Sequence, residues 1–157
     1  FGRILPHRDI ETLRGIEGAR MKESYRIVAQ RFGIDWSGRR YERGNPGAAD
    51  PANQAINHAA TFVEAAADIV GALPPLGFIH EDSSNAFTLD IADLWRVDMT
   101  LPLAFGAVKA LQEGKADQLE REVRKRAVKS FRQEKLVGRM IDRIKELLGV
   151  DDRAGDT

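Results

Sequence analysis

Apolar residues return along this chain at helical spacing, and no stretch shows the strict alternation of a half-buried strand, so the pattern predicts an all-α fold. The first helix opens behind Asp9 and runs to about Phe32, with Ile10, Leu13, Met21, Val28 and Phe32 on one stripe. Residues Gly33 to Ala48, GIDWSGRRYERGNPGA, are rich in glycine and predict a loop. Asp50 followed by Pro51 is a start signal, because the carboxylate can cap free N–H groups and proline needs no partner in the first turn. It opens an alanine-rich helix that Gly71, Pro74 and Pro75 end, and LGFIH then forms a short extended connector to His80. A further helix is expected from about Leu89, and Pro102 starts or kinks another that reaches Leu111.

After the EGKAD turn, residues 117 to 132 divide into an apolar side of Leu119, Val123, Ala127 and Phe131 and a basic side of Arg121, Arg124, Lys125 and Arg132. Glu122 interleaves with these cations and would repel a continuous phosphate track, so the basic side is expected to dock an acidic protein partner, alone or together with DNA. The last helix carries Leu136, Met140, Ile144, Leu147 and Leu148 and stops at Gly149. Residues 1–148 thus read as one helical domain and 149–157 as a disordered tail.

Composition narrows the chemistry. With 43% hydrophobic residues in 157, the chain can bury a real core. No run approaches the ~18 apolar residues of a membrane span, so a soluble, cytoplasmic chain is expected. It opens on Phe1 rather than methionine, which predicts a fragment of a longer protein. Without cysteine, any metal must sit on oxygen and imidazole, which favours a hard cation. The net charge is zero but uneven: residues 51 to 113 carry two Lys/Arg against eight Asp/Glu, between two flanks where basic residues exceed acidic ones.

Four side chains then stand out. Glu17 lies at the centre of the first helix's apolar stripe and is expected to face the core, with Gly15 and Gly18 beside it to admit another segment. Asp90 and Asp93 share a helical face with Leu94 and Val97, so both carboxylates border the apolar side. At ~4 Å and an effective dielectric near 20, two carboxylates repel by about 4 kcal/mol, and the pair needs a proton, an arginine or a metal. Unpartnered acids of this kind would make Asp93→Asn neutral or stabilising in metal-free protein. His80 sits at the mouth of a loop behind an apolar run. Each has an ordinary reading as well: an ion pair of Glu17 with Arg14 or Arg20, an acidic helix start at Asp90, a structural histidine. Together, a glutamate, a histidine and an aspartate supply an open oxygen and nitrogen site suited to Mg2+ or Mn2+ and to phosphoryl transfer.

LRGIEGAR (Leu13–Arg20), GRRY (Gly38–Tyr41), NQAI (Asn53–Ile56), GFIH (Gly77–His80) and DIADLWRVD (Asp90–Asp98) resemble, in order, the helical domain of the CRISPR-associated spacer-acquisition integrases. The last block resembles the type I-E branch. The resemblance implies a C-terminal all-α catalytic domain whose N-terminal β-domain is absent from this chain, and a metal-dependent DNA endonuclease and integrase that joins spacer 3′-hydroxyls to the CRISPR repeat by transesterification. It implies Glu17, His80 and Asp93 as ligands of Mg2+ or Mn2+, with Asp90 as the accompanying acid. Arg14, Arg20, Arg39, Arg40, Tyr41 and Arg96 lie in or near the matching blocks and are expected to bind DNA. The implied partners are spacer precursor and repeat DNA, a small ferredoxin-like CRISPR adaptation protein, and a second copy in the full-length protein. Between Asn53 and His80 the chain is a few residues shorter than the family pattern, and Phe62 is the nearest aromatic where the family often carries a tyrosine. The alternative is a non-catalytic helical module that binds protein or DNA backbone.

Overall fold

The computed structural model describes residues 9–40, 50–70 and 86–149. Among them there is no strand: the chain forms α1 (Ile10–Phe32), α2 (Pro51–Ile69), α3 (Ala86–Leu94), α4 (Leu101–Gln112), α5 (Leu119–Gln133) and α6 (Leu136–Leu148), with one π-helical turn over Arg96–Thr100. No helix among these residues is long and apolar enough to cross a membrane.

Helix α4 lies at the centre and packs against α1, α2, α5 and the π turn. Its residues Leu101, Leu103, Ala104, Phe105, Gly106, Ala107, Val108 and Ala110 are all buried, which a helix tolerates only when its neighbours cover every side. The alanines of α2 do part of this covering: Ala52, Ala55, Ala59, Ala66 and Ala67 are buried and let the two helix backbones come close. Gly106 has a comparable use. A Cβ there would stand 2.7 Å from Arg126 Nη1 and 3.3 Å from Phe32 Cε1, so its absence admits the end of α1 and an α5 guanidinium. That guanidinium donates from Nε to buried Glu122 at 2.9 Å.

The helix ends follow from local chemistry. Asp9 accepts from the Thr12 N–H at 2.9 Å, and Gly33 closes α1 in the left-handed region at φ 69°. The π turn between α3 and α4 was not legible in the periodicity. Pro102 has no N–H to give the Asp98 carbonyl and its ring crowds that group, so the chain widens over one turn before α4 begins. Helix α3 also starts earlier than expected, at Ala86 rather than Leu89. Helix α6 buries Leu136 and Met140 and lays the Arg139 guanidinium 4.4 Å from the Trp95 ring centroid. The expected extended connector ending at His80 and the expected tail lie outside the described residues, apart from Gly149, which caps α6 at φ 66°.

The start of α2 anchors the loop behind it. Asn53, fully buried, takes its backbone N–H to Asp50 Oδ1 (2.9 Å) and its amide N–H groups to Asp50 Oδ2 (2.8 Å) and the Gly38 carbonyl (3.1 Å). Its Oδ1 accepts from Arg39 Nη1 (2.9 Å) and the Arg40 backbone N–H (3.1 Å). Burial alone would raise the Asp50 carboxyl, but these Asn53 donors, with the Ala52 N–H and the Arg40 charge, hold it below the usual value. Asp50→Ala is therefore expected to cost about 2 kcal/mol, a lost cap plus a buried amide left short of a partner. Because the folded value is the lower one, this stabilisation is complete above about pH 4 and fades as the pH falls through the depressed value. Urea unfolding of both proteins between pH 3 and pH 7 checks this: the two curves should converge at the acid end.

Candidate active site

Helix α1 outlasts the core it packs on. Its C-terminal half is held, with Tyr25, Val28 and Ala29 buried, while Leu13 and Met21 are half-covered and Glu17 is exposed. The expectation that Glu17 faces the core is therefore corrected. The apolar stripe continues past the end of its packing partners and becomes one wall of an open cleft. Nothing among the described residues comes within 4 Å of a Cβ placed at Gly15 or Gly18, so the expected close approach at these glycines does not occur there either. Glu17 has no ion pair with Arg14, which bonds Glu11 at 3.1 Å instead.

The opposite wall comes from α3 and the π turn. The cleft holds about 590 Å³ and is lined by Arg14, Glu17, Gly18, Met21 and Tyr25 of α1 and by Asp90, Asp93, Leu94, Arg96, Val97 and Asp98. Five of the ten residues singled out from the sequence thus meet: Arg14, Glu17, Asp90, Asp93 and Arg96. Arg20, Arg39 and Arg40 do not line this cleft. Arg39 is half-buried and spends its fork on Asn53 and Asn57, which makes it a tie between the loop and α2. Arg40 is exposed. His80 and Tyr41 lie outside the described residues.

The two aspartates differ in their surroundings. Asp90 is buried at 7% exposure, whereas the Asp93 side chain keeps 39% and is held by Arg96, whose own side chain keeps 22%. Arg96 donates from Nε to Asp93 Oδ1 at 2.9 Å and from Nη2 to the same oxygen, and its Nη1 reaches the Tyr25 hydroxyl at 3.5 Å. Burial works against the Arg96 charge, but Asp93 and Tyr25 outweigh it and raise its pKa further above the ordinary value. Tyr25 in turn stacks on Trp36, centroids 5.4 Å apart, and Trp36 meets Phe105 of α4 edge-on at 5.5 Å. A line of contacts therefore runs from the central helix to the acid in the cleft.

Two residues of this neighbourhood escaped the sequence reading. Tyr25 sits on the apolar stripe of α1 and reads there as core; only the fold shows its hydroxyl turned to Arg96. Glu64 of α2 is half-buried, and its carboxyl is pushed up by burial, with Arg96 opposing and Asp93 and Asp68 adding to the rise. One of only two charged residues in an alanine-rich helix, with Asp68, it was the available signal. Among the described residues no three of His, Cys, Asp and Glu are grouped closely enough to hold a metal ion. Glu17, Asp90 and Asp93 are nonetheless hard oxygen donors in one cleft, the type that magnesium and manganese take.

The ion pair reverses one expectation. Asp93 has a cationic partner, so Asp93→Asn is expected to destabilise metal-free protein, by about 1 kcal/mol for so partly exposed a pair. Denaturant unfolding in chelator measures it; a neutral or stabilising effect would show that repulsion among the acids dominates after all.

Comparison with known proteins follows the same outline. The family model described as CRISPR associated protein Cas1 matches residues 2–133. A Rhodospirillum rubrum protein named CRISPR-associated endonuclease Cas1 1 is 35% identical over 147 residues, covering 90% of this chain and 47% of that protein. A Thermus thermophilus protein named CRISPR-associated endonuclease Cas1 2 is 39% identical over 141 residues, 87% of this chain and 41% of its own. A crystal structure titled a TtCas1-DNA complex superposes with a TM-score of 0.80 at 35% identity, covering 94% of this chain and 55% of that one. The chain spans about half the length of these relatives.

Proposed function

This chain belongs to the CRISPR-associated Cas1 family, and we propose that it is the helical, C-terminal catalytic part of a metal-dependent DNA endonuclease and integrase that joins spacer 3′-hydroxyls to the CRISPR repeat by transesterification. One observation carries this reading: two stretches far apart in sequence bring Glu17, Asp90 and Asp93 into a single cleft with Arg14 and Arg96. Two relatives named endonucleases and a similar protein crystallised as a DNA complex support it. The block DIADLWRVD supports a type I-E-like assignment.

In this reading Glu17 and Asp93, with His80, would hold Mg2+ or Mn2+. When bound, such a cation supplies polarisation of a phosphoryl oxygen and a more acidic attacking hydroxyl or water. The remaining work falls to the chain. Arg14, exposed, and Arg96, deeper beside Asp93, would offset the charge that gathers on the phosphate. Asp90, buried on the same helical face as Asp93, orients the donor set. Arg20, Arg39 and Arg40, which do not line the cleft, would hold DNA beside it, Arg39 less readily because its fork is already engaged, and Tyr41 is proposed to bind DNA with them. In the full-length protein the partners would be a second copy, spacer and repeat DNA, and the small ferredoxin-like adaptation protein, in a prokaryotic cytoplasm.

If Glu17 and Asp93 hold the cation, manganese at a hundred times its Kd should stabilise this chain by about 2.7 kcal/mol, and Glu17→Ala or His80→Ala should remove most of the gain. Thermal melting over a millimolar manganese range measures this, and an unchanged curve for the native sequence would overturn the metal assignment. Manganese-dependent nicking of branched DNA, lost in Glu17→Ala, tests the chemistry in the full-length protein.

A second reading, a module that binds DNA backbone without catalysis, draws on α5. Arg121, Arg124, Lys125 and Arg132 are exposed as expected, but Glu122 is buried and engages Arg126 at 2.9 Å and Lys125 at 3.7 Å. Glu122 therefore adds little negative charge to the outer face, and the acid exposed there is Glu120, paired with Arg124 at 2.8 Å. Arg121→Ala/Arg124→Ala is expected to weaken binding to any DNA sequence and to reduce the salt slope by about 1 to 2. Titrations at several salt concentrations decide this; an unchanged slope with failed binding of the protein partner would assign the face to that partner instead.

A further inference from the structure

Asp93 meets two demands that conflict. As a ligand it must offer a free carboxylate to a cation, yet Arg96 already places two N–H donors on its Oδ1. Arg96 is not a loose surface residue. Its side chain is 22% exposed, and Nη1 reaches the Tyr25 hydroxyl, itself fixed by the Trp36 stack. We propose that Arg96 is the built-in counter-cation of the cleft: its guanidinium neutralises Asp93 and competes with the divalent cation for that carboxylate. This inference rests on the metal-dependent reading above.

Charge decides between this role and its rival. Both donors fall on one oxygen, so Arg96 could instead pin Oδ1 and present Oδ2 as a ligand, as hydrogen-bonded outer partners do at many metal sites. A pinning partner helps when it is neutral or when water screens its charge. Here the donor carries a full positive charge that it cannot shed, and it is largely buried. Its repulsion with a doubly charged ion on the same carboxylate is twice that between unit charges. The neighbouring acids sharpen the point. Glu17 and Asp90 line the same cleft, and Arg96 with Arg14 are the only cationic side chains that line it with them among the described residues. Without Arg96, Asp93 would lose its neutralising partner in a cleft it shares with Glu17, which favours a divalent ion and disfavours the empty arrangement. The Tyr25 hydroxyl gives Arg96 somewhere to remain hydrogen-bonded when Asp93 is taken from it.

Calorimetric titration of manganese into the full chain tests this. Arg96→Gln and Arg96→Met both remove the charge and should bind manganese at least about tenfold more tightly than the native chain, the reverse of the tenfold or greater loss expected on removing a pinning partner. Both should also melt lower than the native chain in chelator. Arg96→Lys keeps the charge, and its affinity should stay within about threefold of native because the Coulomb term survives. The methionine variant retains the apolar stem and carries the test if the glutamine variant does not fold. Unchanged or weaker manganese binding in the neutral variants, with the native chain binding normally, overturns the counter-cation alone. Absence of manganese binding in native and variant chains alike overturns the metal-dependent reading and this inference with it.

Discussion

Helix α4 can exist in water only if it is covered on all sides, and most of the architecture answers that constraint. Apart from Lys109 and Gln112 its sequence offers no charged or amide side chain to solvent. Small residues resolve the geometry: alanines on α2 and Gly106 on α4 itself let three helices and an arginine approach one axis. The same packing fixes Phe105, against which Trp36 and then Tyr25 come to rest. The cleft is therefore founded on the core rather than added to it.

Proline at position 102 links that core to the acids. A helix running without interruption from Ala86 into α4 would carry its side chains at one steady angle. The widened turn over Arg96–Thr100 changes the phase, and it follows directly after the segment that bears Asp90 and Asp93. Widened turns of this kind often accompany functional sites. Here the turn's first residue, Arg96, reaches back to Asp93 and across to Tyr25. Helix α1 supplies the other wall because it extends beyond its packing partners, so Glu17 stays exposed opposite a buried Asp90.

How much of this was legible depends on the range of the interaction. The caps at Asp9, Asp50, Gly33 and Gly149 and the apolar side of α5 are short-range matters of one turn, and residue type announces them. The candidate acids were legible too, because a charge at a position of apolar periodicity is anomalous in any fold. Their surroundings were not. Periodicity assigned Glu17 to the core since it reports which side of a helix is apolar, not how far the covering helices reach. It assigned Glu122 to an interrupting role on the basic face, although burial beside Arg126 removes it from that face. Tyr25 carried no anomaly that a sequence could show, and Glu64 only that of a rare charge in an alanine-rich helix.

The sequence by itself determined an all-helical chain, the placement of its helix ends and the residue types available for chemistry, because backbone hydrogen bonding and capping act within a few residues. Tertiary structure alone decided that Glu17, Asp90 and Asp93 share one cleft, that Arg96 reaches the Tyr25 hydroxyl, and that Arg39 belongs to the start of α2. Among the hydrogen bonds involved, the longest separation is the seventy-one residues between Tyr25 and Arg96. Their geometry depends on which helices bury against α4 and how closely small side chains let them approach. Packing of that kind is a property of the whole assembled core, and no local pattern encodes it.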